Sequence, residues 1–92
     1  MNRFFQSEDG ALFPLEQVKT NLLSLVNADL KASLFKTDWQ VIRASDPTSN
    51  KPLAESVRIE RQAARDLAIS LETKINNAKT HDVLKIIYNE YL

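Results

Sequence analysis

Residues 34–69 read LFKTDWQVIRASDPTSNKPLAESVRIERQAARDLAI, and the fold of this 92-residue chain turns on how they are parsed. The stretch joins the only tryptophan, a helix-start signal, a Pro-bounded loop and an arginine-studded run. Thr37-Asp38-Trp39-Gln40 has the form of a capping box, in which Thr37 accepts from the first-turn backbone and Gln40 reaches back. It predicts a short helix over 37–44, with Asp38 and Arg43 placed to suit the helix dipole. Residues 45–51 contain no apolar side chain except proline and read as a loop. Pro52 then opens what reads as the longest helix, over 52–79.

Within that helix Val57, Ala64, Leu71 and Ala78 recur seven residues apart, beside a second row of Ala54, Arg61, Ala68 and Ile75. Together the rows make an alanine-rich seam that lets another helix approach closely. The expectation is dimerisation through Ala64, Ala68, Leu71 and Ile75. Arg61 on that seam is costly unless it snorkels or pairs, with Asp38 as a candidate carboxylate, and it can also fix which partner or register is accepted. Trp39 has two readings: a core anchor beside Ile42, or an interface hot spot. The candidate contact residues are therefore Trp39, Arg61, Ala64, Ala68, Leu71 and Ile75.

Outward from this centre, Asp9-Gly10 between two aromatic-containing runs predicts a short β-hairpin over 1–14. Pro14 precedes Leu15, Val18, Leu22 and Leu25, whose spacing marks a helical region over 15–35. The pattern weakens at Asn27-Ala28-Asp29 and resumes at Leu30 and Leu34. That leaves one long helix, or two broken near Asn27 and capped by Asn27 or Asp29. Thr80 and Asp82 start a last helix over 80–92, with Val83, Leu84, Ile87, Tyr88 and Tyr91 on a broad apolar face. The fold class expected is mainly α: one domain, 1–92, a small helical bundle with one long helix and a short N-terminal β-hairpin.

Composition narrows the function. Twelve basic and twelve acidic residues cancel, and nucleic-acid binding ordinarily draws on a basic excess. Arg58, Arg61 and Arg65 share one side of a helix, but Glu60 and Asp66 lie close by, which suits a solvated face. The chain has no cysteine and a single histidine, His81, which reads as a surface residue at a helix start. No metal, cofactor or nucleophile–histidine–acid set is expected, and one glycine cannot build a phosphate-cradling loop. No enzyme is expected. No apolar run reaches the roughly 20 residues of a membrane span, and the N-terminus lacks a secretory apolar core. A domain this small has little core to spare, which favours self-association or a protein partner.

Three stretches carry a resemblance. Phe4–Phe13 looks like an opening aromatic hairpin with a glycine turn, Lys36–Arg43 like a "tDW" element, and Arg58, Arg61 and Arg65-Asp66 like an "R-x-x-L-R-D" run in which Ala64 replaces leucine. In that order they resemble the bacteriophage tail-fibre assembly proteins. The resemblance implies a non-enzymatic, chaperone-like phage protein that binds tail-fibre or other tail polypeptides in the host cytoplasm. The alternatives are a small structural subunit of the particle, or a regulator that binds a host protein or nucleic acid.

Overall fold

The computed structural model describes residues 3–48 and 50–92. Among them the chain forms three helices, α1 (Leu15–Ser45), α2 (Glu55–Asn77) and α3 (His81–Tyr91). The mainly helical expectation holds. Met1 and Asn2 of the expected hairpin and Ser49 of the expected loop lie outside the described residues.

The longest element is α1, not α2. Pro14 sits before its first turn, and the Pro14 carbonyl accepts from Gln17 N (3.0 Å) and Val18 N (3.1 Å). No glycine or proline follows until Pro47, so nothing interrupts the hydrogen-bond ladder. The possible break at Asn27 is absent, because Asn27, Ala28 and Asp29 all face solvent and no packing opposes helix there. The separate helix over 37–44 is absent too. Thr37 is not a cap; it lies in mid-helix, 7% exposed, and its hydroxyl donates to Leu34 O at 3.4 Å. A capping box needs an extended residue at its head, and the good helix formers before Thr37 supply none.

The helix ends where Pro47 biases Asp46 toward extended backbone (ψ 118°). Asp46 Oδ1 then accepts from Thr48 N (2.9 Å) and Thr48 Oγ1 (2.8 Å), forming an Asx-type turn. Asn50 in this loop has a positive φ (53°), a conformation asparagine adopts more readily than most residues. Helix α2 starts at Glu55 rather than Pro52. Residues 51–54 stay outside the helix, and the Ala54 carbonyl takes the first bonds, from Val57 N and Arg58 N at 3.1 Å each. Glu55 in the first turn suits the helix dipole and pairs with Arg58.

Two contacts give the direction of packing. Lys19 Nζ donates to Asn76 O (3.0 Å) near one end of the pair, and Arg61 Nη1 meets Asp38 Oδ1 (3.0 Å) toward the other. Thus α1 and α2 are antiparallel, and the molecule is a rod with extents of 56 × 24 × 17 Å. The core is concentrated near one end. Val18, Leu22 and Val26 of α1 meet Ala68, Leu71, Ile75 and Ala78, and Leu84 and Ile87 of α3 close that end. Thr80 caps α3, accepting from Val83 N at 3.3 Å.

The N-terminal hairpin does not form strands; among the described residues there is one isolated antiparallel bridge, Gln6 to Leu12. The turn itself is where Gly10 predicts it. Gly10 has φ +87°, its N–H donates to Ser7 O (2.9 Å), and Ser7 N donates to Ala11 O (2.9 Å). A ladder this short has too few pairs to persist as a sheet. Its aromatic residues pack on the helices instead: Phe5 is buried and edge-on to Tyr88, with Phe4 tilted against the same ring (centroids 5.8 and 5.7 Å). His81 fastens the segment. Its Nε2 lies 2.8 Å from Phe13 O, and because a carbonyl only accepts, that nitrogen carries the proton.

Candidate protein-contact surface

The residues expected to form an interface divide into two sets. Ala68, Leu71 and Ile75 are buried in the chain's own core, and Ala64 is half-buried facing α1. The alanine-rich seam therefore packs against α1, and only a small groove beside Ala64, Ala68 and Leu71 is left open. The reading of a seven-residue repeat as a dimer seam fails because the partner helix was already in the chain. Small residues allow close approach by any helix, and a short loop makes α1 the nearest one.

Arg61 also turns inward. One nitrogen, Nη1, donates to Leu34 O (2.9 Å), Thr37 Oγ1 (2.9 Å) and Asp38 Oδ1 (3.0 Å), and the side chain is 11% exposed. The pairing with Asp38 answers the cost of a cation on the seam. It also dissolves the supposed arginine face, because Arg58 pairs locally with Glu55 and Arg61 points at α1. The Glu55 carboxyl is held below its ordinary range, chiefly by the hydrogen bond from Arg58, and the Arg58 guanidinium is raised in turn by Glu55.

Trp39 is the one expected contact residue whose side chain stays available. It stands on the side of α1 away from α2 and is 56% exposed, with Arg43 lying over its ring at 4.9 Å. Phe35 (77%) precedes it by four residues and Ile42 (69%) follows by three, so all three share one helical face. The core-anchor reading of Trp39 is thereby corrected. Neighbouring side chains decide this: Thr37, Val41 and Ala44 take the inward positions, which leaves the indole outside.

Smaller apolar surfaces lie elsewhere. Val83 and Ile86 of α3 are exposed around an open hollow of about 350 Å³ also lined by Lys74 and Glu90. A groove of about 70 Å³ where α1 and α2 meet the end of α3 is lined by Leu30, Ala64, Leu67, Leu71 and Tyr91. Among the described residues no three histidine, cysteine or carboxylate side chains converge as metal ligands, and no helix is long and apolar enough to cross a membrane. What these surfaces can do chemically is lose water against another apolar surface. The chain matches no protein-family profile, no curated protein and no solved structure.

Proposed function

We propose that this chain is a non-enzymatic protein-interaction module that assists assembly of a tail fibre or tail in a phage-infected cell. The observation that carries the interaction reading is the outward face of α1, where Phe35, Trp39 and Ile42 stand together in water. Full burial of such side chains returns about 1.5–3 kcal/mol each, and aromatic anchors of this kind dominate protein interfaces. The Arg61–Asp38 contact supports the same reading, because it ties α1 to α2 one residue away from the exposed indole. A rigid backbone under an aromatic anchor lowers the ordering cost of binding.

The tail-fibre assignment comes from the resemblance of Phe4–Phe13, Lys36–Arg43 and Arg58–Asp66. The 56 Å length also suits a second reading, a small subunit packed side-on within the particle. Co-expression with a fibre polypeptide tests the first reading: fibre solubility or trimerisation should require this chain, and indifference would reject it. Mass spectrometry of purified particles separates the two. A chaperone is absent from them, and a subunit is present in fixed copy number.

A further inference from the structure

Leu25, Ala28, Ala32, Phe35, Trp39 and Ile42 succeed one another along α1 at intervals of three, four, three, four and three residues. That alternation draws a straight seam down a helix, as in two-stranded coils. On α1 it is a second seam. The first, through Val18, Leu22, Val26 and Thr37, is taken up by α2 and the core, whereas on the second every side chain except half-buried Leu25 is exposed. It is closed at one end, where Asn21 Nδ2 donates to Phe4 O at 3.1 Å. From Leu25 to Ile42 it runs open for about 27 Å.

We propose that a second copy of this chain covers the face, the two α1 helices lying antiparallel about a two-fold axis. The inference rests on reading this face as a protein contact, and it names the occupant. Side-chain size sets the register. Phe35 falls opposite Ala32 of the second copy, Trp39 opposite Ala28, and Leu25 opposite Ile42. Each aromatic ring meets a small residue, and the symmetry repeats every contact, as an isologous interface requires.

The flanking charges agree with that register. Lys31 falls opposite Asp38, and Asp29 opposite Lys36 with Arg43 one turn further along. Lys31, Asp29 and Lys36 form no ion pair among the described residues, and Asp38, though bound to Arg61, keeps a side chain 47% exposed. A parallel pair would instead set Trp39 against Trp39, Phe35 against Phe35, and Lys31 beside Lys36. Bulk and charge both favour the antiparallel arrangement. Val83 and Ile86 of α3 lie apart from this seam, so an assembly partner can dock while the dimer persists.

Sedimentation equilibrium of the full chain is expected to show a reversible monomer–dimer transition. Asp29→Lys and Lys36→Asp should each weaken it about tenfold or more, since each sets like charges opposite one another at two symmetric places. A one-to-one mixture of the two variants should regain the dimer, because opposite charges then meet at both places. Phe35→Glu should give a monomer with undiminished helical signal. A wild-type chain that stays monomeric at every concentration overturns the proposal, as does a mixture no tighter than its components. Monomers that bind vesicles of anionic lipid would overturn it in favour of a membrane-facing seam. The fibre experiment fails independently: a monomer that keeps the fibre soluble removes the dimer alone, and a dimer without effect on the fibre removes the assembly role alone.

Discussion

Arg61 and Asp38 meet at 3.0 Å across the two long helices, and the same guanidinium nitrogen reaches Leu34 O and Thr37 Oγ1. This polar node stands where the hydrophobic core has ended, since among the described residues no buried apolar side chain lies between Val26 and Ala68 in the chain. Truncating Arg61 leaves the Thr37 hydroxyl without its donor and the Asp38 carboxylate without its cation, while Leu34 O keeps only the Thr37 hydroxyl as a side-chain donor. Arg61→Ala is expected to cost about 1–3 kcal/mol, a fall in Tm of several degrees to some twenty in a domain this size. Arg61→Met, which keeps the packing of the stem, should cost less. Thermal unfolding followed by circular dichroism checks both, and an unchanged Tm for Arg61→Ala would dismiss the node as decoration.

The helical class was legible because Val18, Leu22, Ala68, Leu71 and Ile75 fall at helical spacing, and spacing survives any tertiary arrangement. Glycine at the turn was legible for a local reason, the φ that Gly10 adopts. What lay beyond the sequence was partnership. The repeat through Ala64, Ala68, Leu71 and Ile75 specifies close helix approach without saying whether that helix belongs to the same chain. Thr37 shows the same limit on a smaller scale. Its local pattern is a cap, and a guanidinium twenty-four residues away gives its hydroxyl another use in mid-helix. For Trp39 the sequence left both a buried and an exposed reading open, because its side of the helix depended on where α2 packs.

Leu22 and Phe35 lie on opposite faces of α1, and their truncations should separate folding from association. Leu22 is fully buried between the helices, so Leu22→Ala is expected to cost about 2–5 kcal/mol. Phe35 contributes little to the monomer's core, and Phe35→Ala should stay within about 0.5 kcal/mol at protein concentrations where the wild type is monomeric. Urea denaturation at high dilution measures the pair. A Phe35 cost comparable to that of Leu22 would mean that the ring is part of the monomer's core.

Gly10 occupies φ +87°, a conformation that side chains bearing a Cβ avoid, although open space surrounds the place where that carbon would sit. Its substitution cost is therefore backbone strain alone. Gly10→Ala should destabilise by about 1 kcal/mol, and Gly10→Asn by less, since asparagine tolerates positive φ better. Chemical denaturation of both variants gives the order, and equal stability of Gly10→Ala and wild type would contradict the turn.

Glu55 and Asp46 bracket the loop between the long helices, and each carboxyl is held below its ordinary range. For Glu55 the main cause is the Arg58 hydrogen bond; for Asp46 it is the Thr48 backbone N–H, then the Thr48 hydroxyl. A carboxyl whose folded value lies below its unfolded value stabilises the fold above the unfolded value. That contribution is lost as pH falls through the folded one. Both groups are exposed, so the effect is local to the loop and screened by salt. Carbon-detected NMR titration should find both below the usual carboxylate midpoints. Arg58→Ala should move Glu55 upward and leave Asp46 in place, whereas Thr48→Val should raise Asp46 only part of the way, because the backbone donor survives. If Arg58→Ala leaves the Glu55 midpoint where it was, the pair is not what anchors the first turn of α2.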